Sequence, residues 1–406
     1  MLVSQNPALL LIAERFPPDL GGVARSAVRT AEAIAGLGWE VHVLAWTKTL
    51  PAGVMETIFP EDHDSSMRRP VLHRLGLYSN WDFSLQHTWN ALEQLHQKFR
   101  YSAVWGHYLF PAGYMAVVFA ESAGIVSTVS ARGNDVDRLM FPPGDFSRLL
   151  WTLQRANLVS CVSRDLSRKI KLLAARSDEV VILPNVVDTD LFNPAAPPGT
   201  DALRASAGIQ PDELVLGFCG ELRHKKGLPH LFAALHQVRQ TRPACLLVIG
   251  EVRPREQAQI TTFSAEYPDD AERILVTRHL EAQADVMRYL HLCDVTLQPS
   301  VWDGLPNAVL EAMACGKLVI ASDAGGIPEA IEHGVDGFLI PKMQLHRLGE
   351  AIGEVLDLSE PERGAIETAA RKRVEDCFHP RGEVVRLEAL LQRLLEAPDR
   401  PDSSSS

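Results

Sequence analysis

The sequence of 406 residues contains no long hydrophobic run. An α-helix needs about 20 consecutive apolar residues to cross a bilayer, and no stretch of this chain approaches that length. The apolar piece at residues 8–13 is short and has no basic segment before it, so it predicts a first β-strand and not a secretion signal. The sequence therefore predicts no membrane-spanning helix.

Cysteine is scarce, and positive charge is not in excess. The six cysteines are scattered without a C-x-x-C pair, which is typical of buried thiols in a reducing cytoplasm and argues against disulfides or a zinc site. The net charge is −11, and most of the acidic excess follows residue 190. An acidic protein is a poor candidate for nonspecific nucleic-acid binding. We therefore expect a cytoplasmic protein without a nucleic-acid partner.

What the chain does contain is a regular alternation of short apolar runs with helical patterns, in one series before residue 190 and another after residue 213. Strands that alternate with helices predict parallel sheets built from βαβ units. The sequence thus predicts an α/β protein with two Rossmann-like domains. Ligands of such sheets bind beyond the carboxyl ends of the strands, so we expect the site in a cleft between the domains.

The predicted domain limits follow this alternation. Residues 1–190 are expected to form the N-terminal domain and residues 191–375 the C-terminal domain, joined by a linker near residues 188–212. An amphipathic helix is expected within residues 376–397. The tail, residues 398–406, is expected to be disordered.

Residues 299–329 carry the most informative pattern. Asp303 lies in a Gly- and Pro-rich loop, and Glu311 lies in the helix predicted from about Pro306 to Ala314. The first turn of such a helix offers unpaired N–H groups to a phosphate, and a carboxylate further along can accept hydrogen bonds from sugar hydroxyls. The ordinary alternative is a solvated loop Asp and a helix Glu that pairs with a lysine. The glycine, proline and apolar context favours a site.

This stretch resembles the retaining GT-B glycosyltransferases (family 4-like, "glycosyl transferases group 1"). Their pattern is two acids separated by seven residues and followed by G-G-x-x-E, matched here by Asp303, Glu311, Gly325, Gly326 and Glu329. The resemblance implies transfer of a sugar from a nucleotide-diphosphate sugar, with UDP or GDP as the nucleotide. The family usually has Glu at the first acid, so the shorter Asp303 bears on which sugar is transferred.

The resemblance also implies roles for the domains and for individual residues. Residues 1–190 would bind the acceptor, residues 191–375 would bind the nucleotide sugar, and the helix within residues 376–397 would pack back on the first domain. Asp303 would contact the donor sugar, and Glu311 would hold the ribose. The reaction is assigned to His107, Arg223, Lys226, Asp303 and Glu311. The donor contacts are assigned to Gly21, Gly22, Gly220, Arg223, Lys226, His279, Leu280, Gly304, Leu305, Pro306, Asn307 and Glu311. Residues 278–280 fall where the family's backbone holds the nucleotide base. The donor phosphate itself would accept the acceptor's proton, so no dedicated base and no separate cofactor are expected.

A cationic loop, residues 220–227, follows the first strand of the second domain. Arg can grip a diphosphate with two hydrogen bonds, and Lys acts as a point charge. The family pattern is G-R-L, three residues and K-G, and Lys226 and Gly227 match it. Glu221 stands where the family has Arg, so Arg223 is predicted to supply the missing cation.

The first domain offers fewer motifs. Gly21 and Gly22 follow the first strand and allow close approach of a ligand, but they do not form G-x-G-x-x-G. A lone histidine is usually structural, yet His107 ends a strand and resembles the family's histidine near the donor sugar. Residues 132–135 resemble the family's H-G-x-D turn, with Arg132 in place of His, and we expect Asp135 to line the cleft.

Two further stretches bear on partners. Residues 60–90 are less regular and aromatic, and could bind the acceptor, although an ordinary covering loop is favoured. Residues 164–176 form a basic amphipathic helix whose simplest interpretation is a solvated face. The alternative is contact with anionic lipid, which would suit a lipid-linked acceptor and a peripheral membrane location.

No metal site is predicted. Residues 188–190 and 135–137 both spell D-x-D, but the first belongs to the family's linker motif, and the resemblance implies an enzyme that needs no metal. The sequence favours a glycosyltransferase acting on a glycan or lipid-linked acceptor, in cell-surface polysaccharide or glycoconjugate synthesis. Two alternatives remain: a nucleotide-sugar epimerase or phosphorylase of the same fold, and a non-catalytic binder of sugar nucleotides.

Overall fold

The computed structural model describes residues 6–19, 21–60 and 68–396. The chain divides into two compact units. The first runs to Pro184 and takes up the chain again from Glu383, and the second is Asn185–Gly382. The tail expected at residues 398–406 lies outside the described residues, as does part of the aromatic stretch, residues 61–67.

The first unit contains a sheet of eight strands in the order β3-β4-β2-β1-β5-β6-β7-β8, parallel except for the β3–β4 pair. The strands are β1 (Ala8–Ala13), β2 (Glu40–Thr47), β3 (Met55–Ile58), β4 (Val71–Gly76), β5 (Ala103–His107), β6 (Val126–Ala131), β7 (Leu158–Cys161) and β8 (Val181–Ile182). Its helices are α1 (Gly22–Gly36), α2 (Trp81–Phe99), α3 (Tyr114–Ala123), α4 (Asn134–Leu139), α5 (Pro143–Arg155) and α6 (Arg164–Ala174).

Strand β1 lies at the centre of this sheet and is buried on both faces, as parallel strands covered by helices are. Successive side chains point to opposite faces. Leu9 and Leu11 accordingly pack in one core with Ile34 of α1, and Leu10 and Ile12 pack in another.

The interpretation of residues 60–90 as irregular is wrong where the structure describes them. Residues 71–76 form β4, and α2 begins at Trp81, with Asn80 capping it by accepting from the N–H of Asp82 at 2.8 Å. Strand β3, just before this stretch, is mostly exposed. Its apolar pattern is therefore weak, because edge strands bury little of their surface.

The second unit contains six parallel strands in the order β11-β10-β9-β12-β13-β14. They are β9 (Leu214–Cys219), β10 (Ala244–Ile249), β11 (Ile274–Val276), β12 (Val295–Gln298), β13 (Val319–Ser322) and β14 (Phe338–Ile340). The helices are α7 (Thr200–Ser206), α8 (Leu228–Arg239), α9 (Gln257–Glu266), α10 (Pro268–Ala271), α11 (Gln283–Leu290), α12 (Asn307–Ala314), α13 (Ile327–Ala330), α14 (Leu348–Leu356) and α15 (Glu360–Cys377).

The last helix, α16 (Pro380–Leu395), belongs to the first unit from Glu383 onward. Its Leu387 and Leu391 pack in the same core as Leu9. At its start, Glu383 receives two hydrogen bonds from Arg29 of α1, at 2.6 and 3.1 Å. Apolar packing and this ion pair together fix the helix on the unit.

The predicted α/β class with two parallel-sheet, Rossmann-like units is confirmed. In each sheet the chain turns from one side of the first strand to the other, between β1 and β5 in the first unit and between β9 and β12 in the second. Such switch points open a crevice at the carboxyl ends of the strands, where ligands of these folds bind. Within the described ranges, no helix is both long enough and apolar enough to span a membrane.

Candidate functional site

Two loops meet at the switch point of the second unit, one after β9 and one after β12. The N–H of Val301 donates to the carbonyl of Lys225 at 2.8 Å. Gly227 has φ +83°, and a methyl group on it would overlap the carbonyl oxygen of Pro299. Only glycine allows this backbone conformation at such close approach, so Gly227 holds the cationic loop against the start of the loop that carries Asp303.

A third loop, after β13, supports the second one. Gly325 has φ +56°, and a methyl group there would overlap the carbonyl oxygen of Asp303. The N–H of Gly326 donates to the carbonyl of Gly304 at 2.6 Å, and the hydroxyl of Ser322 donates to the carbonyl of Ser300 at 2.6 Å. The Gly-Gly turn therefore fixes the backbone around Asp303.

Lys226 and Asp303 form an ion pair between the first two loops. Asp303 also accepts from the hydroxyl of Ser300 at 3.2 Å and from the N–H of Gly304 at 3.1 Å. Burial raises the pKa of Asp303, but Lys226, Lys225 and these hydrogen bonds outweigh it, so the pKa lies below its ordinary value. The lysine ammonium has three donors, so pairing with Asp303 does not exhaust its capacity to bind an anion.

Helix α12 starts directly after this loop. Pro306 precedes it in an extended conformation, and no side chain caps its first turn. Leu305 is buried and its carbonyl accepts from the side chain of Asn185 at 2.6 Å, while the amide oxygen of Asn307 is buried without a partner among the described residues. The first-turn N–H groups of α12 thus come directly after the loop of Asp303, which is paired with Lys226. Helix N–H groups beside a cation favour the binding of an anion.

The second acid of the pattern, Glu311, lies in α12 and is 3% exposed. Glu329 lies in α13, half-buried, and its carbonyl accepts from Arg373 at 3.1 Å. A carboxylate as buried as Glu311 needs hydrogen-bond donors.

The ion-pair contacts of Arg223 lie on the side of β9 where β10 runs, and not on the side of β12, which precedes the loop of Asp303. Its guanidinium is paired with Glu221, whose second oxygen accepts from Nε of Arg253 at 3.0 Å. Glu221 therefore bridges two arginines. Sequence reasoning missed Arg253, which comes three residues after the strand-end glycine, Gly250, and only the pairing of adjacent strands brings it to the cationic loop.

The predicted base-binding turn, residues 278–280, follows β11. Arg278 adopts φ +65°, and Arg278 and His279 are exposed. The hydroxyl of Thr277 accepts from the N–H of Gly250 at 3.0 Å and donates to the carbonyl of Arg278 at 2.8 Å. Together these two bonds connect residues 278–280 to the loop after β10. The N–H of Gly220 in turn donates to the carbonyl of Ile249 at 2.9 Å, so the loops after β11, β10 and β9 are linked.

In the first unit, Gly21 and His107 lie at the carboxyl ends of β1 and β5. Gly21 precedes α1 with φ +121°, and both Gly21 and Gly22 are exposed. His107 is entirely buried and is paired in register with Ala13 of β1.

The ring of His107 is held by the hydroxyl of Ser26, 2.8 Å from Nε2. That hydroxyl also lies 2.9 Å from the carbonyl of Val23. Because one hydroxyl proton can serve only one of these bonds, donation to Val23 leaves the hydroxyl to accept from Nε2–H, and Nδ1 is then an acceptor. Burial, with Arg132 and Arg29, lowers the pKa of His107 well below its usual value. The ring is neutral at physiological pH.

The expectation that Asp135 lines the cleft is wrong for its side chain. Asp135 is entirely buried, and its carboxylate accepts from the backbone N–H groups of Leu109, Arg132, Gly133 and Val136 at 2.8–3.2 Å. Burial raises the pKa of Asp135 to about 6, against the effect of those hydrogen bonds. Asp135 therefore organises the turn after β6.

The two D-x-D sequences have local explanations. Asp188 accepts from the N–H groups of Asp190 and Leu191 at 3.0 and 3.1 Å, which forms a turn. Asp137 pairs with Lys169 at 2.9 Å. Among the residues that the structure describes, no group of three or more His, Cys, Asp or Glu side chains is arranged to hold a metal ion.

The basic helix presents fewer cations to solvent than its sequence indicates. Lys169 is paired with Asp137 and Asp165, and Arg176 is 8% exposed and donates to the carbonyl of Ala156 at 3.0 Å. A surface groove remains, formed by Arg164, Ser167, Arg168, Lys171, Leu172 and Ile182. Leu172 is 77% exposed.

Two family models match the chain, one on each unit. The model described as Glycosyltransferase Family 4 matches residues 20–191, and the model described as Glycosyl transferases group 1 matches residues 199–373. Together they cover most of the chain.

Individual proteins match as well. Alpha-maltose-1-phosphate synthase of Mycobacterium tuberculosis is 30% identical over 161 residues, 40% of this chain, and the chain spans only 42% of that protein. The GDP-mannose-dependent monoacylated alpha-(1-6)-phosphatidylinositol monomannoside mannosyltransferase of Corynebacterium glutamicum is 27% identical over 297 residues, 71% of this chain and 75% of that protein. The crystal structure of HepE of Anabaena in complex with UDP and glucose superposes with a TM-score of 0.77 at 18% identity, over 96% of this chain and 100% of that one.

Proposed function

Because this chain belongs to the glycosyltransferases with the GT-B fold, we propose that it is a retaining glycosyltransferase that uses a nucleotide-diphosphate sugar. The observation that carries the proposal is the junction of three loops at the switch point of the second unit. There the Lys226–Asp303 pair, held by Gly227 and Gly325, lies directly before the uncapped first turn of α12. This arrangement offers cations and N–H groups to a diphosphate beside an acid for a sugar.

In the proposed donor complex, Asp303 and the backbone of Gly304–Asn307 orient the sugar. Glu311 holds the ribose, and the turn at His279 and Leu280 supports the base. Lys226 and Arg223 neutralise the charge that develops on the leaving diphosphate. Gly220 allows the diphosphate to approach the end of β9.

We propose that no metal and no protein base take part. The acceptor hydroxyl attacks from the leaving-group face, and its proton passes to the donor phosphate as the bond to the sugar breaks. Product analysis by NMR tests retention, because the anomeric configuration of the donor persists in the product. Full activity in excess EDTA is the expected outcome for metal independence.

The acceptor is proposed to bind the first unit, beside Gly21, Gly22 and His107, at the switch point between β1 and β5. His107 is neutral and its side chain is entirely buried, so its proposed role is to support the acceptor site through its hydrogen bond with Ser26 of α1, and it supplies no positive charge. A glycan or lipid-linked acceptor, in cell-surface polysaccharide or glycoconjugate synthesis, is supported by the corynebacterial relative, a mannosyltransferase that acts on a phosphatidylinositol monomannoside.

Location at the cytoplasmic face of a membrane is part of the proposal. Contact with anionic lipid would use the groove of α6, where Arg168 and Lys171 flank the exposed Leu172. Flotation with anionic vesicles tests this. The parent protein should float with anionic vesicles, and less of it should float with neutral ones. The Arg168→Gln/Lys171→Gln double variant should stay at the bottom of the gradient. A parent protein that does not float contradicts membrane contact.

The donor is identified by thermal shift and calorimetry against a panel of UDP- and GDP-sugars. A cognate donor should raise the melting temperature, and the relatives support both nucleotides. Donor and an acceptor extract together should yield a glycosylated product. Epimerised sugar from donor alone would favour an epimerase, and tight binding without turnover on any extract would favour a non-catalytic binder.

A further inference from the structure

The bridge from Arg223 through Glu221 to Arg253 joins the loops after two adjacent strands, β9 and β10. Glu221 and Arg253 are 32 positions apart in sequence. The backbone supports the same junction: Leu222 donates to the carbonyl of Glu251 at 2.7 Å, and Arg253 donates to the carbonyl of Leu222 at 3.2 Å. The side-chain bridge therefore rests on a fixed backbone.

The position of this bridge across the sheet is informative. In the order β11-β10-β9-β12, the loops after β10 and β9 lie between the predicted base-binding turn after β11 and the loop of Asp303 after β12. Adjacent strands are about 4.8 Å apart. The part of a nucleotide sugar that lies between its base and its sugar is the ribose and the diphosphate. The bridge thus lies where a diphosphate would pass.

We propose that Arg253 is a donor-binding residue, which together with Arg223 forms a two-arginine clamp for the diphosphate, positioned by Glu221. This inference rests on the proposed function and adds a residue to its site.

The chemistry of the three side chains fits this role. Arg223 and Arg253 each donate to Glu221, and a guanidinium has five N–H donors, more than one carboxylate can engage. The carboxylate between the two cations reduces their mutual repulsion and fixes their separation. The side chains of Arg223, Glu221 and Arg253 are 27%, 34% and 30% exposed, so a dissolved diphosphate can reach them.

The test compares Arg253→Gln with Arg255→Gln, using UDP, GDP and their nucleosides as calorimetric probes. Arg255 is a matched control because it lies two positions on, is 68% exposed and pairs with Glu256. Loss of charge-assisted hydrogen bonds should weaken diphosphate binding by about 10- to 100-fold in Arg253→Gln. Nucleoside affinity should not change, and Arg255→Gln should bind the diphosphate as the parent does.

Glu221→Ala tests the positioning role. Diphosphate affinity should fall several-fold while nucleoside affinity is kept, and Glu221→Gln should restore part of it. The clamp is overturned if Arg253→Gln binds the diphosphate as tightly as the parent, and the positioning role is overturned if Glu221→Ala binds it more tightly. A parent that binds neither UDP nor GDP contradicts the proposed function itself, whereas a Lys226→Gln defect without an Arg253→Gln defect contradicts the clamp alone.

Discussion

In the second unit, Lys226 and Asp303 meet as an ion pair whose side chains keep 18% and 14% exposure, whereas in the first unit His107 and Asp135 are entirely enclosed. The acidic pKa of Asp303 is lowered by its cations, and that of Asp135 is raised to about 6 by burial. In the second unit, Asp303 thus stays ionised beside Lys226, and both side chains keep some exposure to solvent. The first unit uses similar residue types to hold a backbone turn and a neutral ring.

The proposed function gives the two units different tasks, and this difference is consistent with it. Fixed charges stabilise charge that develops during a reaction, provided they are held in place beforehand. The second unit has such charges, and three loops hold them. In the proposed function, the first unit takes the acceptor at the exposed Gly21 and Gly22.

The sharpest test of this division is Lys226→Gln. In the proposed donor complex Lys226 faces the leaving diphosphate, so removing this cation should lower kcat/KM by roughly 10²–10³. Without Lys226, burial would raise the pKa of Asp303, so the acidic limb of the rate profile should move to higher pH. Release of nucleoside diphosphate from the cognate donor measures both effects. Lys342→Gln, at an exposed position of the same unit, should react as fast as the parent. An unchanged rate in Lys226→Gln would contradict a catalytic role for the charges of the second unit.

A second test concerns the loop that supports Asp303. Gly325→Ala should destabilise the second unit by about 2–4 kcal/mol, because it adds left-handed strain to an overlap with the carbonyl of Asp303. The matched control is Gly316→Ala. Gly316 has φ +65° but its nearest neighbouring atom would lie 3.5 Å away, so strain alone should cost about 1 kcal/mol. Equal melting temperatures for the two variants would mean that the turn yields to the added methyl group.

The smallest effect concerns the enclosed ring of the first unit. The pKa of His107 is lowered in the folded state, so the unfolded chain binds a proton first as pH falls below about 6.5. The stability that this neutral ring contributes is present above that pH and is lost in acid. Between pH 7.5 and 5.5, the free energy of unfolding measured in urea should fall by about 1 kcal/mol because of His107.

Two variants separate that contribution from those of other histidines. His107→Gln should lose less stability than the parent between the two pH values, because the titrating ring is gone. His346→Gln, at an exposed position, should lose as much as the parent. An identical pH dependence in all three proteins would contradict a neutral, enclosed His107.

The strongly periodic parts of the chain were predictable because their signals are local. Strand β12, the loop of Asp303 and helix α12 follow one another within twenty residues, and the predicted helix end at Ala314 agrees with the structure. The family models confirm the resemblance that these residues carry. Strand β3 was missed because it is exposed at a sheet edge, where burial leaves little apolar pattern.

The sequence by itself determined the two parallel sheets, since hydrophobic alternation is a property of neighbouring residues, and it determined which loops carry glycines and charges. Only the tertiary structure decided which charges meet. Lys226 and Asp303 are 77 positions apart and Glu221 and Arg253 are 32 apart, and each pair is joined because parallel strands bring their carboxyl ends to one edge. The enclosure that keeps His107 neutral was decided in the same way, because burial depends on every element packed around a residue and not on its neighbours in the chain.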